Sequence, residues 1–244
     1  MAGSQHAPLP TIRGPEDFAA AFGVPPHTIE RLVLYEKLLR QWQKAVNLVS
    51  QSTLDAIWHR HFADSAQIVP LAPPGVRSWI DLGSGAGFPG LVAAIAMAGR
   101  APPSTVAPSV APAEGGPPRF TLIESDTRKG AFLREVVRQT GLSQGGVTVD
   151  ILSTRAESVR VSVNENLPRV VSARALASLD RLFDLAVPFS PPGTTLLFLK
   201  GKEAESEVQQ AASSWRFQVA LRSSVTDKHG RIAVVTNLER KAKD

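Results

Sequence analysis

The stretch WIDLGSGAGFPG (79–90) constrains this chain more than any other. An apolar run stops at Asp81 and Leu82 and gives way to Gly83, Gly85, Gly87 and Gly90. Glycine lets the backbone turn sharply and come close to a ligand with no Cβ in the way. Pro89 then opens an apolar stretch that suits a helix, whose first free N–H groups face whatever the loop holds. In an open α/β sheet this is the crevice at the carboxyl ends of the strands, the usual ligand site.

The rest of the second part repeats the alternation. Strand-like runs lie at 78–82, 120–125, 147–152, 169–173 and 194–200, with helical stretches at 89–98, 127–140, 178–187 and 203–213 between them. In 127–140, Phe132, Leu133, Val136 and Val137 form one stripe and Gly141 is a natural helix end. Strands alternating with helices predict right-handed βαβ units in a parallel sheet covered on both faces. The end breaks the pattern. The runs 216–225 and 231–240 are joined only by TDKHG, which allows a hairpin but no parallel crossover. The expected fold is therefore α/β, a mostly parallel seven-stranded sheet with an antiparallel C-terminal hairpin.

The first part reads differently. Residues 1–15 suit a loose tail, 16–76 an N-terminal helical extension, and 77–244 the α/β domain. Leu32, Tyr35, Leu39, Trp42 and Val46 recur at helical spacing after Pro25 and Pro26. A second helix is expected to open at Ser52, with Asp55 as a capping-box variant, and to run through Trp58 and His61 to the prolines at 70, 73 and 74. The Pro-rich insertion 101–118 has almost no apolar bulk and is expected to be a disordered surface loop.

Composition narrows the function classes. There is no Cys, which excludes a disulfide scaffold, a thiolate metal site and a thiol nucleophile. Lys and Arg number 27 against 22 Asp and Glu, a net charge of +5 that fits an anionic partner and equally a soluble surface. The first ten residues lack a basic start and an apolar core, and no apolar run approaches the ~20 residues of a membrane helix, so a cytoplasmic protein is expected. His59 and His61 without a further ligand make no metal site.

Residues 85–90 match the dinucleotide fingerprint G-x-G-x-x-G, which would suit a nicotinamide-dependent oxidoreductase. Residues 81–87 also read D-x-G-x-G-x-G, the signature shared by Rossmann-like S-adenosyl-L-methionine-dependent methyltransferases. Either cofactor needs an acidic residue after the second strand for its ribose. Glu124 is the candidate, 39 residues after Gly85 and at about the usual spacing of ~20 once the Pro-rich segment is removed. The reversed last strand belongs to the methyltransferases and favours that reading. A noncatalytic RNA-binding factor on the same scaffold is the third alternative, and the intact glycine loop argues against it.

Methylation at pyrimidine C5 needs a Cys, and exocyclic amine methylation typically uses an Asn/Asp-Pro-Pro-aromatic loop where this chain has SARALASL (172–179). A ring nitrogen with its own lone pair, such as guanine N7, asks mainly for positioning. NLVS (47–50), RHFADS (60–65), DLGSGAGFPG (81–90), LIESDTRKGAFLREV (122–136), SARALASL and LKGK (199–202) together resemble the RsmG family, formerly GidB. The resemblance spans about 28–240, with Val49 in place of the usual Thr and the Pro-rich insertion as departures. It implies methylation of guanine N7 in the 530 loop of bacterial 16S rRNA, with S-adenosyl-L-methionine as cofactor and S-adenosyl-L-homocysteine as product. It further implies that Gly83 and Phe88 contact the cofactor within a loop completed by Ser84, Gly85 and Gly87, that Glu124 holds the ribose, and that Ala156 and Glu157 border the adenine. Arg174 would stand at the junction of cofactor and substrate as the catalytic residue. Lys200 and Lys202 are candidate phosphate contacts, and Arg128, Lys129, Arg134 and Arg138 a basic helix face. His61 and Asp64 fit a structural pairing and an RNA contact equally. The partner would be 16S rRNA or a small-subunit particle, met by a monomer with no membrane association.

Overall fold

A computed structural model describes residues 10–98, 116–160 and 169–242. The tail residues 1–9 and most of the Pro-rich insertion lie outside them. The N-terminal segment forms α1 (Pro15–Phe22), α2 (Pro26–Trp42), α3 (Gln51–Leu54) and α4 (Asp64–Ala66), with a π-helical turn, Trp58–Ala63, before α4. Pro26 sits in the first turn of α2, where its missing N–H has no partner to lose. The helix stops at Trp42, so Val46 is buried from the following turn. Gln43 closes that turn, accepting from the Leu48 and Val49 amides and donating to the Val49 carbonyl.

Two expectations for this segment are corrected. The single helix from Ser52 is broken into α3, the π-turn and α4, and Ser50, not Ser52, precedes α3. A π-turn holds one more residue than an α-turn, and Trp58, His61, Phe62 and Ala63 are buried together on it. The loose tail ends sooner than expected: Ile12 is buried and its N–H donates to His59 Nδ1 at 3.2 Å. Burying an isoleucine side chain contributes about 1.5–3 kcal/mol toward holding this part of the chain against the fold.

The remaining elements are β1 (Ser78–Leu82), α5 (Gly90–Ala98), β2 (Arg119–Ile123), α6 (Thr127–Thr140), β3 (Thr148–Leu152), β4 (Arg169–Arg174), α7 (Leu179–Ala186), β5 (Thr194–Lys200), α8 (Ala204–Ala211), β6 (Trp215–Ser223) and β7 (Arg231–Arg240). The seven strands form one sheet in the order β3-β2-β1-β4-β5-β7-β6, parallel except that β7 runs against both its neighbours. Successive strand residues alternate between two cores, as the pleat requires. Trp79, Phe120 and Leu122 face α5 and α6, and the same cluster takes in Phe18, Leu32, Tyr35, Leu39 and Phe62 of the N-terminal segment. Ile80, Leu82 and Phe198 face Leu182 and Phe183 of α7, with Trp215 alongside. The helical extension thus shares its buried cluster with one face of the sheet.

Two features of this topology position the site. Strand β1 lies between β2 and β4, so the strand order reverses beside it and opens a crevice at its carboxyl end. Because β7 is reversed, its first residue Arg231 pairs with Lys200, the last of β5, and the hairpin turn 224–230 rises on that same rim.

Candidate functional site

The loop after β1 is held from within. Ser84 is buried. Its N–H donates to the Ile123 carbonyl at 3.0 Å, its hydroxyl to the Asp81 carbonyl at 3.1 Å, and its own carbonyl accepts from the Gly87 and Phe88 amides. Gly87 has φ +98°, and a Cβ there would meet Tyr35 Oη at 2.4 Å and Leu91 Cβ at 2.9 Å. Tyr35 Oη donates to the Ala86 carbonyl, tying the loop to α2. Gly85 is the open side: an added Cβ would meet only the Gly83 carbonyl, at 3.9 Å.

Glu124 follows β2 directly beside this loop and is buried. Its carboxylate accepts from the Gly85 N–H and the Asp126 N–H, both at 2.8 Å. The Asp126 side chain in turn accepts from the Arg128 and Lys129 amides and caps α6. The helix cap therefore fixes the carboxylate, and its two oxygens keep lone pairs for further donors. Asp81 lies beneath. Its Oδ1 accepts from Ser172 Oγ at 2.6 Å, which accepts from Trp79 Nε1 at 2.8 Å, while Oδ2 is buried without a partner. Burial pushes its carboxyl up to about 6, against the hydrogen bond from Ser172 that lowers it.

Arg174 ends β4. Its Nη1 donates to Asp64 Oδ2 at 3.1 Å and to the Arg60 carbonyl at 3.0 Å, and its Nη2 to His61 Nδ1 at 2.7 Å. The guanidinium stands 4.9 Å from the centroid of the Phe88 ring, on which the His61 ring also stacks, with centroids 4.9 Å apart. Phe88 is itself buried between His61 and Tyr35. Nδ1 of His61 accepts, so Nε2 carries the proton and donates to Thr53 Oγ1 at 2.8 Å. Burial first, then Arg174 and Arg60, hold this imidazole neutral, with its pKa lowered to about 3. His61 and Asp64 thus meet on Arg174. His59 has both ring nitrogens engaged as well, by the Ile12 N–H and the Thr226 carbonyl.

A cavity of about 610 Å³ opens on Arg174, His61, Asp64, Lys200, Lys202 and Thr226. Lys200 is committed inside it, donating to the Ala177 carbonyl at 2.7 Å and pairing with Glu207 at 2.6 Å. With its charge matched in that pair, it has less to offer a phosphate than the exposed Lys202. Lys202 is exposed, with Glu203 at 3.7 Å. Ala156 and Glu157 lie on a 3-10 turn, Ala156–Ser158, after β3, and Glu157 pairs with Arg181. On the basic face of α6, Arg128 pairs with Asp126 and Arg138 with Glu135, while Arg134 donates to Ser153 Oγ.

Sequence reasoning missed Tyr35 and Leu176. Tyr35 is the one tyrosine, read as part of an apolar stripe; its hydroxyl was the signal, since a buried phenol seeks a partner. Leu176 is 40% exposed, yet its Cδ1 would lie 2.6 Å from a Cβ on Gly83. It is turned there by Ala175, which adopts φ +51°. No local pattern announces a left-handed alanine.

The sequence profile described as GidB, rRNA small subunit methyltransferase G, matches residues 28–236. The chain belongs to this family. It is 46% identical over 225 residues to ribosomal RNA small subunit methyltransferase G of Rhodospirillum centenum, covering 92% of this chain and 91% of that one. To the protein of that name from Parvibaculum lavamentivorans it is 42% identical, covering 94% and 92%. Its fold is similar to that of a SAM-dependent methyltransferase from Aquifex aeolicus, with a TM-score of 0.51 at 12% identity over 82% of this chain and 97% of the other. This GidB-family protein is therefore an S-adenosyl-L-methionine-dependent rRNA methyltransferase. The site fits that cofactor on its own terms: an open face over Gly85, where any side chain would intrude, and the fixed Glu124 carboxylate at its edge. Among the described residues no helix is long and apolar enough to cross a membrane.

Proposed function

We propose that the chain transfers a methyl group to N7 of a guanine in the 530 loop of 16S rRNA, as a monomer acting on the RNA or a small-subunit particle. The loop Gly83–Phe88 would hold S-adenosyl-L-methionine, Glu124 its ribose, and Ala156 with Glu157 the rim of its adenine. Bound, this cofactor supplies an electrophilic methyl group. The observation that carries the reading is the place of Arg174, over the ring that ends the glycine loop and on the wall of the open cavity.

Guanine N7 brings its own lone pair, so the chain has to orient its acceptor rather than deprotonate it. The side chains around the cavity agree with that demand. His61 is neutral, with both nitrogens engaged. Arg174 spends three N–H bonds within the fold and keeps the remainder of its five for the acceptor's O6 or a neighbouring phosphate. Lys202 adds an exposed charge at the cavity mouth, part of a net +5 that suits a polyanion.

Mass spectrometry of 16S rRNA tests the reading. Cells lacking the gene should lack N7-methylguanine in the 530 loop, and the purified chain with labelled S-adenosyl-L-methionine should restore it. Unchanged methylation in those cells, or binding of NADH without binding of S-adenosyl-L-methionine by calorimetry, would overturn it.

A further inference from the structure

Three stretches far apart in sequence converge on one guanidinium. The π-turn and α4 bring His61 Nδ1 at 2.7 Å, Asp64 Oδ2 at 3.1 Å and the Arg60 carbonyl at 3.0 Å, while the glycine loop brings the Phe88 ring. The hairpin turn acts one step removed: Asp64 Oδ1 accepts from Thr226 Oγ1 and from Gln67 Nε2, each at 2.8 Å, and Gln67 Oε1 accepts from the Val225 N–H at 2.8 Å. We propose that His61 and Asp64 are positioning residues, which fix the Arg174 guanidinium beside the Phe88 ring at the boundary between cofactor loop and acceptor cavity, with Thr226 completing the clamp.

This rests on the role given to Arg174 above and assigns His61 away from RNA contact. Both His61 nitrogens are used within the fold, and the residue is 8% exposed. Arg174 keeps 16% of its side chain exposed, and with Asp64 and Thr226 it lines the cavity rather than the core. A bond network that served folding alone has no reason to open onto the reaction space. An arginine side chain left to itself samples many rotamers, and a planar fork held at three points presents its remaining N–H groups in one direction. That direction matters because misplacing a reacting partner by about 1 Å costs on the order of 100-fold in rate.

The test uses the full chain, with small subunits from cells lacking the gene as acceptor. His61→Phe keeps the stack on Phe88 and removes the acceptor for Arg174, His61→Asn restores an acceptor oxygen, and Asp64→Asn removes the charge but keeps an oxygen. His61→Phe and Asp64→Asn should each lower kcat by about 10- to 100-fold, with the KM for subunits and the Kd for S-adenosyl-L-methionine within about twofold of wild type. His61→Asn should recover most of the loss. If Arg174→Ala is inactive while His61→Phe and Asp64→Asn turn over normally, the positioning role is wrong and the role of Arg174 stands. If Arg174→Ala itself turns over normally, the reading of Arg174 fails first. Equal losses in His61→Phe and His61→Asn, tracking a lowered Tm, would reduce the clamp to structural support and overturn it. Asp64→Asn decides the matter if His61→Phe does not fold.

Discussion

Asp81 and His61 show how burial sets charge at single positions. The Asp81 carboxyl is raised to about 6, so the native protein holds that proton more tightly than the unfolded chain does. The stability it contributes is fully present below the ordinary carboxylate pKa and is lost as pH rises through about 6, on the order of 3 kcal/mol in all. His61 runs the other way. Its pKa falls to about 3, so its contribution is present above the ordinary imidazole pKa and is lost as pH falls. Between those limits the two slopes oppose, and the mutant comparison separates them. Urea titrations from pH 4 to 7 should show wild type losing stability relative to Asp81→Asn as pH rises; parallel curves would mean the carboxyl titrates normally. Tyr35 is a second test at this scale. Tyr35→Phe strands the buried Ala86 carbonyl and should cost about 1–3 kcal/mol by urea unfolding. Its Kd for S-adenosyl-L-methionine should rise as the loop loosens, and an unchanged Kd would cut Tyr35 out of loop positioning.

Among the elements, the glycine loop and the π-turn differ in how far they are written locally. The loop announced itself because its glycines are required by local backbone: Gly87 has φ +98°, and a Cβ would drive into Tyr35 and Leu91. Gly87→Ala should therefore combine left-handed strain with a clash against α2 and α5, lowering stability by about 2 kcal/mol or more and abolishing cofactor binding. Calorimetry on the folded fraction checks this, and normal binding would show that α2 yields. The π-turn announced nothing. Its residues read as a continuation of an α-helix, and the extra residue per turn is selected by what Trp58, Phe62 and His61 pack against. Strands and the later helices were legible within a residue or two, since alternation and stripes are properties of windows shorter than the elements themselves.

For the whole molecule, the N-terminal segment is the question. Its Phe18, Leu32, Tyr35 and Leu39 are buried in the cluster that includes α5, α6 and one face of the sheet. A chain beginning at residue 77 would leave that face in water. It should fail to show a cooperative thermal transition, where an independent domain would show one; circular dichroism distinguishes the two. The same segment supplies the clamp on Arg174, so stability and chemistry are joined in one docking event. The reversal of β7 is the other decision at this scale, because it raises the turn that carries Thr226 onto the rim of the cavity.

The order of residues by itself determined the α/β class, the seven strands, the reversed hairpin, the glycine loop and the acidic residue that serves it. Each is a short-range pattern or a spacing, fixed by backbone sterics and by the need to bury apolar faces. The tertiary structure alone decided which charges remain available. Lys200 is paired with Glu207, Lys202 stays exposed, and Arg174 is matched by two residues more than a hundred positions away. Pairings at that distance follow from strand order and helix docking, and no window of sequence carries them.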